Sequence, residues 1–127
     1  MRDFRQLKVW EKAYALTLEI YRTTSAFPRD ELFGITSQMR RSAASIAANI
    51  AEGCGRTGDG DFHRFLNIAA GSAVEYFLLL SRDLGLLQTD VYEQLQSNIV
   101  KVQRMLGSLF RTVDGARRKK QRLVASC

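Results

Sequence analysis

The sequence predicts an all-α protein: an antiparallel up-down-up-down four-helix bundle that associates with copies of itself. Three observations predict the fold. Four stretches place apolar residues at steps of three and four, the spacing of one helix face. A single proline, Pro28, leaves long segments free to be helical. No stretch alternates apolar and polar residues as a strand does. The chain's 127 residues, 46% hydrophobic and 25% charged, suit one domain that buries its own core.

Helix one is predicted from Leu7 or Val9 to Ser25. Val9, Ala13, Leu16, Ile20 and Thr24 form one stripe, and Trp10, Tyr14, Thr17 and Tyr21 a second, turned by about 100°. Two apolar faces exceed what one neighbour covers. The aromatics Trp10, Tyr14 and Tyr21 serve either a helix wedged inside its own bundle or a contact with another subunit. Phe27-Pro28 ends the pattern, because proline disfavours helical geometry in the residue before it.

Helix two is predicted to begin between Pro28 and Ile35 and to stop near Glu52. Asp30 and Glu31 suit a first turn, and Gly34 marks a kink or false start. The stretch Gly34–Glu52 is the one the chain is organised around. Ile35, Met39, Ala43, Ile46 and Ile50 make its apolar face, and Gln38, Arg41, Ser45, Asn49 and Glu52 a wholly polar line. Ala44, Ala47, Ala48 and Ala51 lie between and permit close approach of other helices.

The glycine-rich loop CGRTGDGD follows. Gly53 and Gly58 have the G-x-x-x-x-G spacing, but a phosphate loop next requires Lys and then Ser or Thr, where Asp59 and Gly60 stand. Asp59 and Asp61 lack the remaining ligands of a calcium loop. A turn capped by Thr57 or Asp59 is the expectation.

Helix three is predicted over Asp61–Leu84, with Phe62, Phe65, Leu66, Ala69, Ala73, Phe77, Leu80 and Leu84 as its core face. Glu75 lies among apolar neighbours. Its expected role is a structural ion pair with Arg41, within the chain or across a subunit boundary. His63 is expected at the surface. Gly85 ends this helix, and Thr89 or Asp90 caps the fourth. Val91, Leu95, Ile99, Val102, Leu106, Leu109 and Val113 then give the most regular stripe in the chain, which is expected to fray near Asp114-Gly115. The division is therefore residues 1–115 as bundle and 116–127 as a basic, flexible tail.

The net charge is +6, and its placement is uneven. From Arg111 onward six cations face Asp114 alone, so residues 111–127 hold +5 and the rest only +1. A basic tail either attracts phosphates through counterion release or only solubilises the chain. Cys54 and Cys127 form no C-x-x-C pair and are read as free thiols, and one histidine is too few for an ordinary zinc site. No apolar run spans a bilayer, and MRDFRQLKVW lacks the core of a signal peptide, so the expected location is the cytoplasm. No nucleophile–base pair, metal constellation or cofactor loop is present, so no enzyme and no cofactor is expected.

Several motifs carry a family resemblance: Val9-Trp10-x-x-Ala13, Phe27-Pro28-x-x-Glu31-x-x-Gly34, and Gln38-x-Arg40-Arg41-Ser42-Ala43. Ser45-Ile46-x-x-Asn49-Ile50-Ala51-Glu52-Gly53 and Phe65-Leu66-x-x-Ala69-x-Gly71-Ser72 with Glu75 continue it. Over roughly residues 4–113 the chain resembles the four-helix-bundle proteins encoded in bacterial 23S ribosomal RNA intervening sequences. The resemblance implies a homopentamer around a central axis, with no established enzymatic activity. A related protein of similar fold, the accessory variability determinant of diversity-generating retroelements, is a basic pentamer that binds nucleic acid and a reverse transcriptase. Gly58 stands where the family often has Ser, and Asp59-Gly60-Asp61 is more acidic than its usual loop.

Two functions follow as expectations. The first is a non-enzymatic homopentameric accessory protein that binds RNA or DNA through phosphates, with Arg56, Arg64, Arg117, Arg118, Lys119, Lys120 and Arg122 as contacts and Gln38, Arg40, Arg41, Asn49, Glu52 and Glu75 as structural or interface residues. The second is a scaffold whose ring presents a surface to a protein such as a reverse transcriptase.

Overall fold

The computed structural model describes residues 2–56, 58–70 and 72–126, and all regular structure in them is helical. The helices are α1 (Lys8–Thr24), α2 (Ser37–Cys54), α3 (Asp59–Ala70), α4 (Val74–Asp83) and α5 (Thr89–Ser126). α1 and the α3–α4 pair each pack against both α2 and α5. One apolar core lies between them.

α1 buries Val9, Ala13, Leu16, Ile20 and Thr24, the stripe its spacing predicts. Thr24 is polar, but its hydroxyl donates to the Ile20 carbonyl at 2.7 Å, so its burial leaves no orphaned donor. The second stripe stays outside this core: Trp10 is half-buried, while Tyr14 and Tyr21 are 48% and 45% exposed. Pro28 is extended (φ −57°, ψ 145°), and a short turn at Arg29–Glu31 leads into a wide helical turn at Leu32–Thr36. The backbone leaves helical geometry at Gly34 (φ −110°, ψ −115°), so the kink expected there precedes α2 proper.

α2 buries Met39, Ala43, Ile46, Ala47, Ile50, Gly53 and Cys54. Small residues let its neighbours come close. Thr17 of α1 donates to its own helix at the Ala13 carbonyl (2.9 Å) and reaches the Ala43 carbonyl of α2 (3.2 Å). On the other flank Ser72 donates to the Ser42 carbonyl at 2.8 Å. α2 ends at Cys54, and the Gly55 N–H bonds back to Ala51 and Glu52. The expected caps of the following helix, Thr57 and the Asp59 side chain, lie outside what the structure describes.

The predicted third helix is two. α3 buries Phe62, Leu66 and Ala69; α4 buries Val74, Leu78 and Ser81. The buried positions step by four and three within each helix, but by five from Ala69 to Val74. The passage from α3 to α4 thus inserts one residue into the pattern and turns the inward face by about 100°. This is why Ala73 and Leu84, expected inside, are exposed, and why Phe77 and Leu80 are only half-buried.

α5 departs from expectation at its end. Its stripe Leu95, Ile99, Val102, Leu106 and Val113 is buried, with Val91 and Leu109 half-buried at its edge. The helix does not stop near Asp114-Gly115 but continues to Ser126. One glycine costs about 1 kcal/mol against alanine, and the Ala, Arg, Lys, Gln and Leu that follow are strong helix formers. An Asp114–Arg118 pair (3.1 Å), four residues apart, bridges the glycine. Residues 116–126 are therefore a helical extension of the bundle, each exposed through Ala125.

Candidate nucleic-acid interface

The cations gather where α2 ends and α3 begins. Arg56 pairs with Glu52 one turn back at 2.7 Å, both partners exposed. Its guanidinium lies 5.2 Å from the centre of the Phe65 ring, and the Arg64 guanidinium lies 4.9 Å from the same ring. Phe65 is thus a platform shared by two arginines, each contact worth about 0.5–1 kcal/mol at an exposed site. Arg2 sits 4.2 Å over the Phe62 ring and donates its backbone N–H to the Cys54 carbonyl at 2.9 Å.

The same end is tied to α5. His63 is not a free surface residue: its ring lies 4.0 Å from that of Phe110, and Nε2 is 3.4 Å from Asp114 Oδ1. The other Asp114 oxygen forms an ion pair with Arg118, 3.1 Å from Nε. Arg56, Arg64 and Arg118 therefore share one end of the molecule. Arg117, Lys119, Lys120 and Arg122 lie beside Arg118 on the same stretch of α5, all exposed. Sequence reasoning missed Arg2 and the role of Phe65. The Arg64-Phe65 neighbour pair was a signal, but Phe65 also fitted the core stripe.

The polar residues of α2 divide. Arg40 is structural: Nε donates to the buried Thr24 hydroxyl at 2.8 Å, Nη2 to the Tyr21 carbonyl at 3.3 Å, and the guanidinium lies 4.8 Å from the Tyr21 ring. Asn49 donates to the Ser45 carbonyl at 2.7 Å. Gln38 and Arg41 are exposed. Trp10 stacks on Tyr14 at 5.0 Å and meets Phe4 edge-on at 4.9 Å.

Within the chain, Glu75 does not pair with Arg41. Glu75 instead accepts from Gln96 (2.9 Å) and Gln103 (3.0 Å), both on α5. Those two bonds, Gln96 first, hold its carboxyl below the usual carboxylate range. Spacing on one helix does not specify the axial register between helices, so the partner could not be read from it. Cys54 is a buried free thiol whose pKa burial raises; Cys127 lies outside the described residues.

Among the described residues no group of three or more His, Cys, Asp or Glu is placed to hold a metal ion. An open groove of about 420 Å³ between the start of α1 and α5 is lined by Leu7, Lys8, Val9, Arg104, Met105, Ser108, Leu109 and Thr112. No helix of the described residues is long and apolar enough to cross a membrane.

Residues 5–108 match the 23S rRNA-intervening sequence protein family. The chain belongs to that family. It is also similar to a crystal structure from Bacteroides thetaiotaomicron, a protein of unknown function from the S23 ribosomal protein family. The two are 27% identical, with a TM-score of 0.72 over 81% of this chain and 95% of the other. No curated protein matches. The basic extension of α5 in this 23S rRNA-intervening sequence protein lies past the residues that match the family.

Proposed function

We propose that this 23S rRNA-intervening sequence protein is a non-enzymatic, cytoplasmic accessory protein that assembles as a homopentamer of up-down-up-down bundles and binds nucleic acid through phosphate contacts with little sequence preference. The observation that carries the binding is the concentration of cations at one end: Arg56 and Arg64 on Phe65, with the α5 extension beyond Asp114. Helical surfaces that meet phosphates carry no sequence information in those contacts.

The antiparallel arrangement is supported by pairs whose numbers rise on one helix and fall on the next. Thr17 meets Ala43 while Thr24 meets Arg40. Self-association is supported by Tyr14, Leu18 and Tyr21 along the outer face of α1, with Leu32 and Phe33 exposed in the turn before α2. Phe33, 92% exposed, was not singled out by its sequence pattern. Large apolar side chains left exposed together mark interaction sites.

Fluorescence anisotropy with labelled RNA and DNA across a salt series tests the reading. Affinity should fall steeply and linearly on a log–log plot, and scrambled sequences should bind alike. Affinity that did not change with salt would exclude it. The same apolar face favours a second reading, a scaffold that docks a protein partner such as a reverse transcriptase. Removal of residues 116–127 separates the two: nucleic-acid affinity drops under the first and protein docking survives under the second.

A further inference from the structure

We propose that the α5 extension is a groove-entering element, and that its ligand is double-helical DNA in the B form, met through the major groove. This rests on the nucleic-acid reading above and narrows it to one class.

The argument starts from the helix wheel. Successive residues on a helix are turned by about 100°, so the four consecutive cations Arg117, Arg118, Lys119 and Lys120 ring the axis completely. The buried stripe of α5 does not run on into this segment. Leu106 and Val113 face inward, and their own steps lead to positions 117 and 120, where Arg117 and Lys120 stand. The side of the helix that is apolar in the body is cationic in the extension. About three turns of helix are exposed from Gly115 to Ala125, and the cations between Arg117 and Arg122 put positive charge on every side.

Charge on every side selects among polyanions. A flat surface, whether a lipid headgroup layer or an acidic protein face, engages one side of a helix. An in-plane membrane helix also needs segregated apolar and basic faces, which Arg117 and Lys120 on the inward stripe disrupt. A groove flanked by two phosphate strands engages both sides at once. The B-form major groove is about 12 Å wide and admits an α-helix, which is about 10–12 Å across. The A-form major groove of duplex RNA is too narrow and deep to be read by side chains. The extension from Gly115 to Ser126 is about 18 Å long at 1.5 Å per residue, enough to lie within such a groove.

The test uses the full chain and anisotropy with four probes: a mixed-sequence DNA duplex of about two turns, the RNA duplex of the same sequence, and the two single strands. The DNA duplex should bind at least about tenfold more tightly than the other three at equal salt, and binding should protect guanine N7, a major-groove atom, from dimethyl sulfate. Two double variants take opposite sides of the helix, R117Q with K120Q and R118Q with R122Q. Each should weaken duplex binding by a similar factor, about tenfold, and lower the salt slope by about two. If the RNA duplex or single strands bind as tightly as DNA, or N7 stays reactive, or one double variant is silent, the groove inference is wrong while the phosphate reading stands. If no probe binds, both fall. The comparison of probes needs no variant, so it decides the matter even if a substitution disturbs the helix.

Discussion

A side-chain carbon placed on Gly53 would stand 2.9 Å from Cδ1 of Phe62. It would also stand 2.9 Å from Phe65 Cβ, an atom that moves only with the backbone of α3. Phe62 is fully buried, so its ring cannot swing aside. Gly53 is where α2 and α3 touch, and it brings Phe65 and its two arginines to the end of α2. Gly53→Ala gains at most about 1 kcal/mol of helix propensity and meets overpacking of about 1–3 kcal/mol. The variant is expected to melt several degrees lower, with Arg56 and Arg64 less well placed. Thermal unfolding by circular dichroism checks this; an unchanged or raised midpoint would show that the helices part freely.

Glu75 makes stability depend on pH. Its folded pKa is depressed by the bonds from Gln96 and Gln103, so its contribution is present above the unfolded value, about 4.3, and is lost as pH falls through the lower folded value. Glu75→Leu is expected to cost about 1 kcal/mol at neutral pH, since the site is partly open to water. In urea melts the wild-type advantage should shrink below about pH 4 as the carboxylate is protonated. A constant difference from neutral to acid pH would mean that the charge plays no part.

Arg40 should matter to the fold and not to nucleic acid. Arg40→Met removes the bonds to Thr24 and Tyr21 and the contact with the Tyr21 ring. A loss of about 1–2 kcal/mol is expected in denaturant melts. Affinity for nucleic acid should hold, in contrast to Arg56→Gln with Arg64→Gln, which should weaken it several-fold while costing about 1–2 kcal/mol for the two lost ring contacts. Equal binding losses in the two variants would contradict this division.

Phe33 tests assembly. Because it is almost wholly exposed in one protomer, Phe33→Ser should leave that protomer's stability within about 0.5 kcal/mol. Light scattering should nonetheless report a smaller particle than the wild-type chain forms at the same concentration. An unchanged mass would move the contact elsewhere.

Much of the fold was legible because one-dimensional spacing reports which side of a helix seeks apolar company. The inward stripes of α1 and α2 and most of that of α5 stand where periodicity placed them. The prediction failed within the third helix because nothing in its spacing marked the inserted residue near Ser72. It failed at the end of α5 because a helix, once nucleated, needs good helix formers and no core stripe to continue. The candidate site was legible in part. The charge excess near the C-terminus is visible in composition, whereas the Phe65 platform and the His63–Asp114 contact join residues from different elements.

By itself, then, the sequence determined the helical class, the buried faces and the uneven charge. All three are local properties, set by residue type and spacing within one element. The tertiary structure alone decided that Glu75 meets two glutamines of its own chain, that His63 lies against Phe110, and that Arg56 and Arg64 share one ring. Those pairings depend on how far one helix slides along another and how it is rotated about its axis, and packing of the whole core sets both.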